Sequence, residues 1–215
     1  MIDLLYNHSS NVYSANGEDG INEYILKHLE LDSGVVLEIG AWDGFFDSNC
    51  ANLWSNGSYN GILIEATSKL NIADLESRYD NINCYRELIS SSNTLEDVID
   101  KCKFDVDEDN FVLASIDVDG DDLNVARSLG KYKPIILIVE PNGDVITRSN
   151  SNGSTIKELI DFGVDFGYDF MGMSGHVGRH SGNVYLIRND YKDKFDICSK
   201  PWQQRGIILS EGVLY

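Results

Sequence analysis

Proline is scarce in this chain, three in 215 residues, and cysteine is sparse and unpatterned. The shortage of proline, with no repeat or low-complexity tract, excludes a linker-like or solenoid chain. Cys50, Cys84, Cys102 and Cys198 lie far apart, with no CxxC or Cys/His spacing. They read as free thiols of a reducing compartment, not as a disulfide framework or a zinc site. No apolar stretch approaches the roughly 18 to 20 residues of a membrane span. The start, MIDLLYNHSS, lacks the basic and apolar regions of a signal peptide. The expectation is a soluble, cytoplasmic protein. Positive charge is short relative to negative: 17 Lys and Arg stand against 35 Asp and Glu, a formal net charge of −18. A surface this acidic repels phosphate backbones and anionic lipid head groups, so nucleic acid and membranes are disfavoured as partners and a small molecule is favoured.

What is present is a core. With 42% hydrophobic and 24% charged residues, the chain is read as one globular domain over residues 1–215. Short β-branched runs alternate with segments of helical period, the pattern of a mostly parallel sheet covered by helices on both faces. Seven strands are expected: Val35–Gly40, Gly61–Glu65, Ile82–Tyr85, Phe111–Asp117, Ile135–Glu140, Asp169–Met173 and Val184–Arg188. Ile21, Tyr24 and Ile25 predict a helix over 18–30 that precedes the first strand, and Leu95, Val98, Ile99 and Cys102 predict one over 94–103. Thr155 with Glu158 has capping-box spacing, and Asn56-Gly57 is placed to close a helix carrying Leu53 and Trp54. The fold class is therefore α/β, a Rossmann-like seven-stranded sheet.

Four strands run into acidic or glycine-rich ends: Glu38-Ile-Gly40-Ala-Trp-Asp43-Gly44, Glu65, Asp117-Val-Asp119-Gly-Asp121-Asp122, and Glu140-Pro-Asn142. Ionisable groups at the edge of a core must be paired, solvated or holding a ligand, and open α/β sheets bind ligands beyond the carboxyl ends of their strands. Gly40 and Gly44 permit a tight turn and close approach of backbone to a nucleoside. Asp43 stands where that turn faces a cofactor. Glu65 is placed like the acid that accepts hydrogen bonds from ribose hydroxyls. The turn is not G-x-G-x-x-G: it carries bulky Trp42 and an acid where a pyrophosphate would sit. S-adenosylmethionine has no phosphate and bears a sulfonium and an ammonium, so carboxylates suit it.

These residues resemble the class I methyltransferases, and within them the FkbM-like group. The resemblance runs through Tyr13–Gly20 (YSANGEDG), Glu38–Gly44 (EIGAWDG), Asn52-Leu-Trp54 with Asn56-Gly57, Gly61–Glu65, Ser115–Gly120 (SIDVDG) and Val139–Asn142. Ala15 departs from it, since related sequences often carry Gln there. The resemblance implies that Glu38, Gly40, Asp43 and Gly44 form the first cofactor loop, that Glu65 contacts ribose, and that Asp117 ends the fourth strand beside the methyl-transfer site. It also implies O-methylation of a hydroxyl on a sugar or other small molecule, a glycan acceptor included.

Transfer to an alcohol needs help with its proton. Asp117, Asp119, Glu140 and His176 are candidate bases. The alternative is a divalent cation such as magnesium on Asp117, Asp119 and Glu140, although the segment is not an EF-hand loop. His176 and His180 sit in a glycine-rich stretch where helical spacing has no meaning. Two rivals stand beside the methyltransferase reading: a nicotinamide-dependent oxidoreductase or epimerase, which lacks its phosphate loop here, and a non-catalytic cofactor-binding module.

Overall fold

The computed structural model describes residues 4–143, 146–148, 151–175 and 182–205. The seven expected strands are present as β1 (Gly34–Ile39), β2 (Tyr59–Ile64), β3 (Ile82–Tyr85), β4 (Phe111–Ile116), β5 (Ile136–Val139), β6 (Tyr168–Met173) and β7 (Val184–Arg188). They form one sheet in the order β3-β2-β1-β4-β5-β7-β6. All neighbouring pairs are parallel except those of β7, which runs antiparallel to β5 and β6.

The α-helices among the described residues are α1 (Glu18–His28), α2 (Ala51–Trp54), α3 (Ile72–Arg78), α4 (Leu95–Ile99), α5 (Asp122–Arg127) and α6 (Ile156–Phe166). Strand side chains alternate between faces, and this splits the core in two. Leu37, Ile39, Leu137 and Val139 pack with α4, α5 and α6. Val36, Ile136 and Ile138 pack with α1, α2 and α3 on the other side. Strands β4 and β5 are covered on both faces, as their almost wholly apolar runs require.

Local signals explain where helices begin and end. Thr155 and Glu158 form the expected capping box of α6, which stops at Gly167 in left-handed backbone. Thr94 and Asp97 form another at α4. Two helices are shorter than their apolar period suggests. α1 ends at His28, because Glu30 turns left-handed at φ 57° and Leu31 N–H returns to the Leu26 carbonyl. α4 ends at Ile99, where Asp100 is drawn off to Lys131 and Tyr132 and Cys102 turns back on Phe104. Two helices, α3 and α5, were not expected. No helix among the described residues is long and apolar enough to cross a membrane.

Candidate functional site

The chain winds outward from β1 to β3, then returns to start again at β4, so the sheet has its switch point between β1 and β4. A crevice is required there, because successive crossovers leave in opposite directions. The structure has one: a cleft of about 460 Å³ at the ends of β1, β2 and β4, lined by residues that include Gly40, Trp42, Glu65, Asp117 and Asp119.

Gly40 fixes the floor of this cleft. Its φ is 82°, and a Cβ placed on it would lie 1.7 Å from the carbonyl oxygen of Asp117, so the ends of β1 and β4 approach each other as only glycine allows. Beyond it, Trp42 adopts φ 49°, a costly conformation for a bulky residue. Glu65 holds it there. The Glu65 carboxylate, 6% exposed, accepts from Trp42 N–H at 3.0 Å and from Thr67 N–H at 2.7 Å. A carboxylate offers about four acceptor positions, so Glu65 ties two loops together and keeps capacity for a ligand hydroxyl.

Other members of the expected cofactor loop lie off the cleft. Glu38 is buried beneath it and accepts from Ser48 Oγ at 2.6 Å and Asn49 N–H at 2.7 Å. Burial pushes its carboxyl up to about 7, against the pull of those two hydrogen bonds. Asp43 is exposed and caps the backbone amides of Phe45 and Phe46 at 2.9 and 2.8 Å. It shapes the loop that carries Phe46, a lining residue. Gly44 packs on Leu75 of α3. His176 lies outside the described residues.

The acidic strand ends converge, with one change of membership. The carboxylates that meet, with oxygens within 4.8 Å of one another, belong to Asp117, Asp122 and Glu140. Asp119, at φ 58°, is exposed and lines the cleft instead. Asp122 is fully buried and pins the loop after β4 by accepting from Val118 N–H at 2.7 Å and Gly120 N–H at 2.9 Å. Asn142 Nδ2 bridges Asp122 and Glu140 at 3.2 and 3.3 Å. Burial, then the neighbouring carboxylate of Asp122, raises Asp117 to about 6. Burial, then Asp117, raises Glu140 to about 8. Both carboxyls are thus held above the usual carboxylate range, and the hydrogen bond between them favours a proton kept between the pair.

Sequence reasoning named Asp122 and Asn142 among the strand ends without giving either a role, and it missed a buried polar layer from the N-terminal segment. Glu18, fully buried, accepts from Ser174 Oγ at 2.6 Å and Asn183 Nδ2 at 2.9 Å, joining the Asn16–Gly20 stretch to the ends of β6 and β7. Asp19 gathers the amides of Val12, Tyr13 and Ser14. An acid pair opening a helix was the available signal, but acids there are ordinarily read as favourable to the helix dipole.

No protein-family model and no curated protein sequence matches the chain. Solved structures do. A magnesium protoporphyrin IX methyltransferase from Synechocystis PCC 6803, determined with bound S-adenosylhomocysteine (SAH), superposes with a TM-score of 0.50 at 9% identity, over 80% of this chain and 81% of that one. A precorrin-6y C5,15-methyltransferase from Geobacter metallireducens GS-15 gives 0.44 at 17% identity over 83% and 90%. A SAM-dependent methyltransferase from Aquifex aeolicus gives 0.45 at 15% over 77% and 88%. The seven-stranded, mostly parallel Rossmann-like sheet is the fold that this chain shares with the Synechocystis methyltransferase, the class I methyltransferase fold.

Proposed function

We propose that the protein is an S-adenosylmethionine-dependent methyltransferase that binds its cofactor in the cleft at the ends of β1, β2 and β4 and methylates a hydroxyl of a sugar or another small molecule. The observation that carries this reading is the Gly40–Glu65 geometry: a glycine-only approach of backbone at the sheet's switch point, beside a buried carboxylate with acceptor capacity left for ribose. The resemblance to the FkbM-like group supplies the hydroxyl acceptor, and the fold agrees with the cofactor. Calorimetric titration with SAH and with a nicotinamide dinucleotide tests it. SAH should bind and the dinucleotide should not; the reverse result removes the proposal.

The residues divide the work as follows. Glu65 orients the nucleoside and the two loops around it. The cofactor supplies an electrophilic methyl group when bound. Asp117, ionised and receiving a hydrogen bond from protonated Glu140, accepts the acceptor's hydroxyl proton, while Asp122 and Asn142 hold both carboxylates in place. Glu65→Ala should weaken SAH binding at least ~10-fold, since it loses a charge-assisted contact and frees two loops. Asp43→Ala, removing a cap that reaches the cleft only through the loop carrying Phe46, should change SAH affinity less and cost about 1 kcal/mol in urea unfolding. Equal losses of affinity in the two variants would remove Glu65 from the ribose role.

Hard cations take carboxylate oxygens, and Asp117, Asp122 and Glu140 are such a set. Asp122 already spends its oxygens on two amides, and Asp117 and Glu140 hydrogen-bond to each other, which fits a shared proton better than a bridging ion. Methyl transfer should therefore persist in EDTA. Loss of turnover restored by magnesium would instead place an ion between Asp117 and Glu140.

A further inference from the structure

The exposed apolar side chains of this molecule gather at one end of it. Among the described residues, six large hydrophobics are exposed: Val12, Trp42, Phe46, Leu88, Ile146 and Val164. Trp42 and Phe46 follow β1, Leu88 follows β3 and Ile146 follows β5, so these four stand at the carboxyl end of the sheet, where the cleft opens. Val12 joins them. Its N–H is held by Asp19 in the first turn of α1, and that turn is bound through Glu18 to Ser174 and Asn183, beyond the ends of β6 and β7. Val164, in the last turn of α6, lies at the opposite end. A single exposed apolar residue is ordinary on any surface. Five of six at one end, on four separate segments, mark a surface that another molecule covers. The cleft accounts for only part of it: Trp42, Phe46 and Leu88 line the cleft, whereas Val12 and Ile146 are not among its lining residues.

Backbone strain concentrates at the same end. Of the four non-glycine residues in left-handed backbone among those described, Trp42, Asp47 and Asp119 lie here, at φ 49°, 52° and 58°. Each is a costly conformation, and each of the three side chains is exposed. Acids alternate with the apolar residues. Trp42-Asp43, Phe46-Asp47 and Glu87-Leu88 are adjacent pairs, and the loop after β4 adds Asp119 and Asp121. Cations of these loops are engaged: Lys69 stands over the Trp42 ring at 4.8 Å, Arg86 donates to the Leu70 carbonyl at 2.9 Å, and Arg148 pairs with Glu158.

The charge decides the occupant. A second copy of this chain, at net charge −18, would set acid against acid, and an anionic lipid surface would do the same. A polypeptide whose apolar side chains are flanked by Lys and Arg is the complement: opposite charge steers it in and apolar anchors hold it. We propose that the rim of the cleft is a docking face for a basic amphipathic polypeptide, seated with its apolar side chains on Val12, Phe46 and Leu88 and its cations on Asp47, Asp119 and Asp121. The inference goes beyond the cofactor reading and does not require it.

Fluorescence anisotropy of labelled synthetic peptides on the full chain tests it, with and without saturating SAH. A Leu/Lys peptide with its leucines on one helical face should bind, and a Ser/Lys peptide of equal charge at least ~10-fold more weakly. A Leu/Glu peptide should not bind. Val12→Ser, Phe46→Ser and Leu88→Ser together should lower Leu/Lys affinity ~10-fold or more and leave Ser/Lys affinity within about twofold. Val164→Ser, which removes the exposed apolar residue at the other end, should alter neither. Asp47→Asn, Asp119→Asn and Asp121→Asn together should weaken both Lys peptides and flatten their salt dependence, and thermal melts confirm that all variants fold. Equal affinity for the Leu/Lys and Ser/Lys peptides, or no binding of either, overturns the proposal. So does a Val164→Ser loss as large as that of the apolar triple variant. Self-association of the wild type, abolished by the apolar triple variant, would assign the face to a second copy instead. Displacement of the Leu/Lys peptide by SAH would return these residues to the nucleoside site, removing this inference and leaving the cofactor reading intact. Failure of SAH to bind, with the peptide results as expected, would remove the cofactor reading alone.

Discussion

Gly40→Ala is expected to destabilise the protein by more than about 3 kcal/mol and to abolish SAH binding. Two costs add. The φ of 82° is left-handed backbone, worth roughly 1 to 2 kcal/mol against any residue with a Cβ. The second cost is steric and larger. The new methyl would sit 1.7 Å from the Asp117 carbonyl oxygen, and that oxygen cannot retreat freely, because Asp117 N–H is tied to the Ile39 carbonyl at 3.1 Å. Relief requires the ends of β1 and β4 to part, and those two ends form the cleft. Gly57→Ala separates the terms: φ there is 83°, yet nothing lies within 4 Å of the added Cβ. Urea midpoints of the two variants should differ by the clash alone. If Gly40→Ala costs no more than Gly57→Ala, the close approach does not constrain the cleft.

The sheet was legible because its signal is local. Ile135–Val139 is apolar at every position and Phe111–Ile116 at all but Ser115, so their identity as buried strands does not depend on what packs against them. The observed strands start or end within two residues of the expected ones. The helices were legible where a cap, a closing Asn-Gly or an apolar period marks them, as at Thr155, Asn56-Gly57 and Leu95–Ile99, and α3 and α5 were not picked out by any of these. α5 begins inside the acidic run that sequence reasoning took as one strand-end segment, so its first residue, Asp122, was given no role of its own although it is fully buried.

The candidate site divides along the same line. Gly40 and Glu65 were legible because their chemistry follows from position at a strand end. Asp43 and Glu38 were placed in the cofactor loop by resemblance, yet their carboxylates turn inward or outward to cap amides several residues away. Direction of a side chain in a loop is set by tertiary hydrogen bonds, and one-dimensional spacing carries no record of it. The exchange of Asp119 for Asp122 in the acidic group has the same origin. Residues two and five after Asp117 are equally acidic in sequence, and only the left-handed turn at Asp119 sends one to the cleft wall and the other under the loop.

Asp117→Asn is expected to lower turnover by about 10²- to 10⁴-fold, the range for loss of a positioned base, with little change in SAH affinity. The pH profile distinguishes this from a structural effect. Asp117 must be ionised to accept a proton, and burial with the Asp122 charge raises it from 3.8 to about 6. Turnover in the wild type should therefore rise with pH through that region, well above the usual carboxylate range, and the residual activity of Asp117→Asn should show no such limb. Stability runs in the opposite sense. A carboxyl whose folded-state pKa is raised holds its proton in the native state at pH values where the unfolded chain has lost it, so its contribution is present in full below the unfolded value and is lost as pH rises through the folded one. Asp117, Glu140 and Glu38, displaced from about 4 to about 6, 8 and 7, should together lower the melting temperature between about pH 4 and 8, and Asp117→Asn should flatten part of that slope. Activity rising and stability falling over one pH interval is the signature expected of a buried base. A wild-type melting temperature flat across the interval, or a rate profile unchanged in shape by Asp117→Asn, would assign the proton to another group.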